Sequence, residues 1–192
     1  MTMNRTGAAL LLVAGAGVIA VTLALWGQPL VSASGEIRLW VNSIWSPETS
    51  QQVADWYSVS HLVQGILLAL LLRALPLRRP DTVLLWSAFA IGVGWELAEH
   101  TDFVLDRFRA TTLYQGYLGD TVLNAVMDYV FMLAGVALAR ALPVGAALAL
   151  VAVLELASSL IARDSLTLST LQVVAPQQAV ADWQEAIRPA RP

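Results

Sequence analysis

Cysteine and lysine are both missing from this chain of 192 residues, and charge of either sign is scarce. Without cysteine there are no disulfides, no thiolate nucleophile and no Cys-ligated zinc, and the redox compartment stays undetermined. Without lysine there is no Schiff-base chemistry and no lysine general base, since all 11 basic residues are arginine. Charged residues make up 13% of the chain, about half the share usual in a soluble domain. Hydrophobic residues reach 57% and the mean hydropathy is +0.65, so the composition is that of a membrane protein. The net charge is only −3, and no arginine-rich stripe is interleaved with aromatics, which argues against a nucleic-acid partner.

What is present is a series of long apolar runs. A bilayer core needs about twenty such residues, and the runs 7–26, 56–75, 82–99, 119–141 and 144–161 meet that need. The expected fold is an all-α integral membrane bundle of these spans over 1–162, with a tail at 163–192. A cleaved signal peptide is the rival reading of the first run. Its apolar core would be shorter and Ser32-Ala33-Ser34 is a mediocre cleavage site, so an uncleaved helix is preferred. In the polar stretch 27–55, Ile37, Leu39, Trp40, Ile44 and Trp45 suggest a short interfacial helix, with a Trp-anchored loop as the alternative. Gly92 and Gly94 are expected to let helices approach closely.

Arg5, Arg73, Arg78, Arg79 and Arg140 gather at one set of span ends with Asp81 as the lone acid, which makes that side cytoplasmic and puts the C-terminal tail in the periplasm. With that orientation, the intramembrane polar groups fall in one membrane half. Asp120, Asn124 and Asp128 at i, i+4 and i+8 form a polar stripe on a helix, about 12 Å long at 1.5 Å per residue. Glu96 and Glu99 share a face, His61 lies early in its span, and Glu155 lies in the outer half of the last one. A charged acid at mid-depth costs at least about 2.5 kcal/mol, so these groups must face protein, water or an ion.

Carboxylates from several helices with one imidazole suit a hard or borderline divalent cation, and Glu96, Glu99, Asp120 and Asp128 are the expected ligands. His61 and Asp128 are the candidate catalytic pair, with His61 as ligand or general base, and Asn124 and Glu155 as polar support. Arg107 and Arg109 either receive an anionic headgroup or pair with Asp102 and Asp106. Blander readings stand beside these: His61 as an interfacial hydrogen-bonding residue, Glu96 and Glu99 among lipid headgroups, and His100 as an exposed loop histidine, preferred to its alternative as an outer ligand.

Six segments resemble, in order, an uncharacterised family of alphaproteobacterial inner-membrane proteins. They are Trp26-Gly-Gln-Pro-Leu, Ser46-Pro-Glu-Thr-Ser-Gln, Ala54-Asp-Trp-Tyr-Ser-Val-Ser-His61, Gly94-Trp-Glu-Leu-Ala-Glu99, Gly116-Tyr-Leu-Gly-Asp120-Thr-Val-Leu-Asn124 and Arg163-Asp-Ser-Leu-Thr-Leu168. The resemblance implies a multi-pass location in the inner membrane and no particular activity. The chain departs from the family pattern at Ser32-Ala33-Ser34, where members often have Cys-x-Cys, and at Gln64, where a second His is common. Both departures argue against a required thiolate or a two-His site. More distantly, His61, Glu96, Glu99, Asp120, Asn124, Asp128 and Gly135 match the order of polar positions in VanZ-like and YjdF-like membrane proteins, which hints at envelope lipids or cell-wall precursors.

Three functions are therefore expected in order: a metal-assisted enzyme on a lipid-linked or amphiphilic envelope substrate, a non-catalytic scaffold or assembly factor whose buried acids fix helix packing, and a small transporter or proton relay. The inner halves of the spans carry no ionisable residue away from their rims, which places the relay last.

Overall fold

The computed structural model describes residues 5–78, 80–111 and 117–186. Among them every regular element is a helix: α1 Arg5–Leu25, α2 Trp56–Ala74, α3 Pro80–Glu99, α4 Asp102–Thr111, α5 Val122–Ala141, α6 Val144–Ile161, α7 Leu166–Val174 and α8 Gln178–Glu185. Four of these, α1, α2, α5 and α6, are long and apolar enough to cross a membrane. The chain is an all-α membrane protein. The 20-residue α3 has the length of a span but carries Asp81, Glu96 and Glu99.

The ends of the helices follow local chemistry. Asp55 caps α2, accepting from the backbone N–H groups of Tyr57 and Ser58 while the Ser58 hydroxyl accepts the N–H of Asp55, a reciprocal capping box. Pro80 opens α3, where a missing N–H costs nothing. Thr121 caps α5 through the N–H of Asn124. The two-residue link Leu142-Pro143 makes α5 and α6 antiparallel neighbours.

The described parts of the long connections, 26–55, 100–111, 117–121 and 162–186, lie at one end of the bundle; the short links that join α2 to α3 and α5 to α6 lie at the other, where Arg140 Nη2 sits 3.0 Å from Asp81 Oδ1. The tightest pair is α2 with α5, which run parallel. Two glycines permit this. A Cβ on Gly65 would overlap the Met132 carbonyl, and one on Gly135 would overlap the Leu62 carbonyl, each with a further backbone atom 3.0 Å away. On the inner side Ile66, Leu84, Ala88, Met132 and Val136 fill the core. Nearer the loop end, Ile19 and Leu23 of α1 pack on Val93, Ala125 and Tyr129. Gly92 makes room for the Tyr129 ring, whose Cδ2 would stand 2.6 Å from an added Cβ, whereas Gly94 faces open space, so only the first of the expected close-approach glycines serves that purpose.

The stretch 27–55 forms turns rather than the interfacial helix considered from sequence. Gly27, Gly35 and Ser50 take positive φ, and Pro29 and Pro47 interrupt any helical ladder. The segment instead docks on the start of α5: the N–H groups of Val122 and Leu123 donate to the carbonyls of Pro29 and Leu30, and that of Thr121 to Ser50. Arg79 and residues 187–192 of the expected tail lie outside the described residues. In the described part, 163–186, α7 packs against α2, α4 and α6, and α8 packs on α7.

Candidate functional site

The start of α5 sets the site. The sequence places Asp120 on the helix, but α5 begins only at Val122, so Asp120 lies in the extended approach to it. Gly119 there has φ +95°, and a Cβ would stand 2.9 Å from Gln28 Nε2 and 3.0 Å from His100 Cδ2; only glycine suits this crossing. The Asp120 N–H donates to His100 Nε2 at 2.9 Å, so that nitrogen is unprotonated. His100 Nδ1–H donates to the Glu96 carbonyl at 2.7 Å. The two bonds fix one neutral tautomer and tie the last turn of α3 to Asp120. His100 is thus buried rather than the exposed loop histidine expected.

Glu96, Glu99 and Asp120 each offer an oxygen, and these lie within 4.8 Å of one another. The Tyr117 hydroxyl donates to Asp120 Oδ1 at 2.6 Å and lies 3.4 Å from Glu99 Oε1. Among the described residues Oε2 of Glu96 and Oε2 of Glu99 are buried with no hydrogen-bond partner, and Glu96 is 1% exposed. Three oxygen donors, two of them with an unused oxygen, fit a hard divalent cation such as Mg²⁺, Ca²⁺ or Mn²⁺. Asp128 stands outside this group, on the far side of His61. The imidazole lies between carboxylates, Nδ1 3.5 Å from Glu96 Oε1 and Nε2 3.7 Å from Asp128 Oδ2. Asp128 is held by the Ser58 hydroxyl, which donates to Oδ1 at 2.5 Å.

These groups form the polar end of a cavity of about 330 Å³. His61, Glu99, Asp120 and Asp128 line it from α2, α3 and the α5 entry; Trp95, Phe108, Leu166 and Val173 supply an apolar wall, and Gln64 lies one turn from His61. Of the expected supporting residues, Asn124 does not line the cavity. Its Nδ2 donates to the Gln52 carbonyl at 2.9 Å, holding the 27–55 loop. Glu155 stands apart and accepts the N–H of Thr167 in the first turn of α7. Arg107 and Arg109 do not line the cavity either, because Phe108 between them points inward and successive residues on a helix diverge by about 100°. Arg107 Nε donates to the Val173 carbonyl at 2.8 Å, and Arg109 Nε to the Tyr117 carbonyl at 2.7 Å, with Nη1 3.0 Å from Asp106.

The α7 wall is fastened through Asp164, which is 3% exposed. Its Oδ1 accepts from the Ser165 N–H and the Ser169 hydroxyl, both at 2.9 Å, and from Gln184 Nε2 at 3.4 Å; its Oδ2 accepts from the Tyr57 hydroxyl at 3.1 Å. Burial outweighs these donors and raises the Asp164 carboxyl from 3.8 to about 6. Burial likewise raises Asp55 to about 6, with the nearby charge of Asp120 adding to it. Between about 4 and 6 the folded chain binds these protons more tightly than the unfolded chain. Stability therefore falls as pH rises through that window, by at most about 1.4 kcal/mol per pH unit for each group, and levels off above it. Asp164→Asn, with no proton to release, should show a flatter decline of melting temperature from pH 4.5 to 7 than the unaltered chain. Equal slopes would rule out Asp164 as a contributor.

A sequence profile of the family described as "Protein of unknown function (DUF2585)" matches residues 23–186. A UPF0314 protein of Rhizobium meliloti (strain 1021) is 39% identical over 183 residues, covering 94% of this chain and 93% of its own length. One from Sphingopyxis alaskensis is 37% identical over 188 residues, covering 95% and 96%, and one from Paracoccus denitrificans is 36% identical over 174 residues, covering 88% and 89%. No solved structure matches.

Proposed function

The chain belongs to the DUF2585 family, described as proteins of unknown function, and from that premise we propose that it is a metal-assisted enzyme of the bacterial inner membrane, acting on an amphiphilic or lipid-linked envelope substrate. The carrying observation is a cavity in which Glu99, whose buried Oε2 has no hydrogen-bond partner among the described residues, and an imidazole held between two acids meet an apolar wall. Mostly apolar pockets with a few convergent polar groups are the usual form of a small-molecule site.

Glu96, Glu99 and Asp120 hold the cation in this reading. When bound, a divalent ion supplies Lewis acidity toward a substrate oxygen and acidifies a water. His61 accepts a proton from the attacking water and returns it to the leaving oxygen, while Asp128, oriented by Ser58, stabilises the imidazolium. Hydrolysis or group transfer at an ester of an amphiphile is the reaction class that suits this set. The arginines at the opposite end of the bundle, Arg73, Arg78 and Arg140, support an N-terminus in the cytoplasm, five spans with α3 included, and a cavity and C-terminus on the periplasmic side.

The scaffold reading draws on Asp55, Asp164 and Asn124, buried groups engaged with backbone and hydroxyl partners. Both oxygens of Asp55 and of Asp164 accept hydrogen bonds, whereas among the described residues Oε2 of Glu96 and of Glu99 accepts none, nor does Asn124 Oδ1. Elemental analysis of the detergent-purified full chain, after dialysis against Mg²⁺, Ca²⁺ and Mn²⁺, tests the proposal. About one ion per chain is expected, falling to background in Glu99→Gln and Asp120→Asn but not in Glu155→Gln. A folded, metal-free wild-type chain would overturn the enzyme reading and leave the scaffold.

A further inference from the structure

Besides its acids, the cavity has a second chemical character that the metal does not account for. Four aromatic rings line it, those of Tyr57, Trp95, Phe108 and Tyr117, and Phe108 meets Tyr117 edge-on with centroids 6.1 Å apart. Among the described residues no arginine lines it. The two arginines nearest in sequence to Phe108 are engaged with backbone carbonyls, Arg107 with Val173 and Arg109 with Tyr117. Residues Thr112 to Gly116 contain no charged side chain in the sequence.

We infer that the cavity receives an organic ammonium group carried on an apolar chain. This rests on the reading of the cavity as a substrate site and names the head that it accepts. An anionic head would have to enter among Glu99, Asp120 and Asp128 with no cationic side chain to meet it, and like charges brought together in a buried site repel strongly. An ammonium meets the reverse situation. Among the described residues Glu99 Oε2 is buried and without a hydrogen-bond partner, and aromatic faces attract a cation through the ring quadrupole, more strongly once both are desolvated. With a divalent ion held by Glu96, Glu99 and Asp120, Asp128 and the rings remain to receive the ammonium. The rim explains the chain: Trp95 is 38% exposed and Val174 75% exposed, so the mouth is apolar where an alkyl tail must leave toward lipid.

The test uses the full chain in maltoside detergent, titrated calorimetrically with octyltrimethylammonium, octylammonium and octyl phosphate. Saturable binding of at least one ammonium probe is expected, at least tenfold tighter than octyl phosphate and weakened at least tenfold by Trp95→Ala and by Asp128→Asn. Whichever ammonium binds tells whether a quaternary or a primary amine head is the natural source. Trp95 sits at the rim, so Trp95→Ala carries the test should Asp128→Asn fail to fold. Octyl phosphate binding as tightly as both ammonium probes, or ammonium binding that Trp95→Ala leaves unchanged, overturns the inference. Metal content measured on the same samples separates the two readings: metal retained without ammonium binding sinks this inference alone, and ammonium bound by a metal-free chain sinks the metal site alone.

Discussion

Gly135→Ala is expected to abolish most of the folded protein, and Gly65→Ala to do nearly the same. Each added methyl would enter the space of a backbone carbonyl on the facing helix, Leu62 for Gly135 and Met132 for Gly65, with the next backbone atoms at about 3.0 Å. A flexible side chain can turn aside, whereas a helical carbonyl moves only with its helix. Overpacking a close interface usually costs about 1–3 kcal/mol; here the two helices must part, and the upper end of that range or more is expected. Separating them would also pull Ser58 on α2 from Asp128 on α5, so the loss reaches the cavity. Gly94→Ala and Gly145→Ala meet nothing within 4 Å and should melt close to wild type. Thermal melts in detergent followed by size-exclusion profiles compare the four. If Gly135→Ala melts within a degree or two of Gly145→Ala, the close α2–α5 approach described above is incorrect.

Asp164→Ala should release the wall of the cavity while leaving the spans in place. Four groups donate to this carboxylate, from Tyr57 on α2, from Ser165 and Ser169 around α7, and from Gln184 on α8. Removing the acceptor leaves buried donors unsatisfied at about 1–3 kcal/mol each, although local rearrangement and water entry reduce the sum. That exceeds what the remaining tethers of α7 supply, chiefly Arg107 to the Val173 carbonyl and Glu155 to the Thr167 N–H. Limited proteolysis of residues 163–186 is expected to quicken at least tenfold, with helical content of the bundle nearly unchanged. Glu155→Ala, which removes a single partly exposed hydrogen bond, should quicken it far less. Equal cleavage of Asp164→Ala and wild type would show that α7 is fastened by its apolar contacts instead.

Much of the bundle could be read from the sequence because long apolar runs have one physical solution in a bilayer. The boundaries of α2 and α6 agree with the runs 56–75 and 144–161 to within a residue, and α1 and α3 to within two. The start of α5 did not, since the Thr121 cap and the positive φ of Gly119 outweigh the helical pattern that Asp120, Asn124 and Asp128 display. The acids were visible because isolated charge in such runs is costly. Their partners were not. Ser58 is 70 residues from Asp128, and His100 is 20 from Asp120, so their roles exist only after α2, α3 and α5 have met. Glu155 was grouped with the cavity acids by depth alone; its partner lies 12 residues on, at the start of a 9-residue helix too short for periodicity to reveal. The family motifs, where they fall on described residues, all lie at the cavity end of the bundle.

The fastening of α7 also sets an order of events during synthesis. Among the described residues every helix of membrane-crossing length ends by Ile161, and the segment that closes the cavity, 166–174, emerges after them. A nascent chain inserted through α6 therefore presents its carboxylates in an open cleft at the bundle's end. Only when Asp164 meets the Tyr57 hydroxyl and the Val173 carbonyl meets Arg107 is that cleft closed.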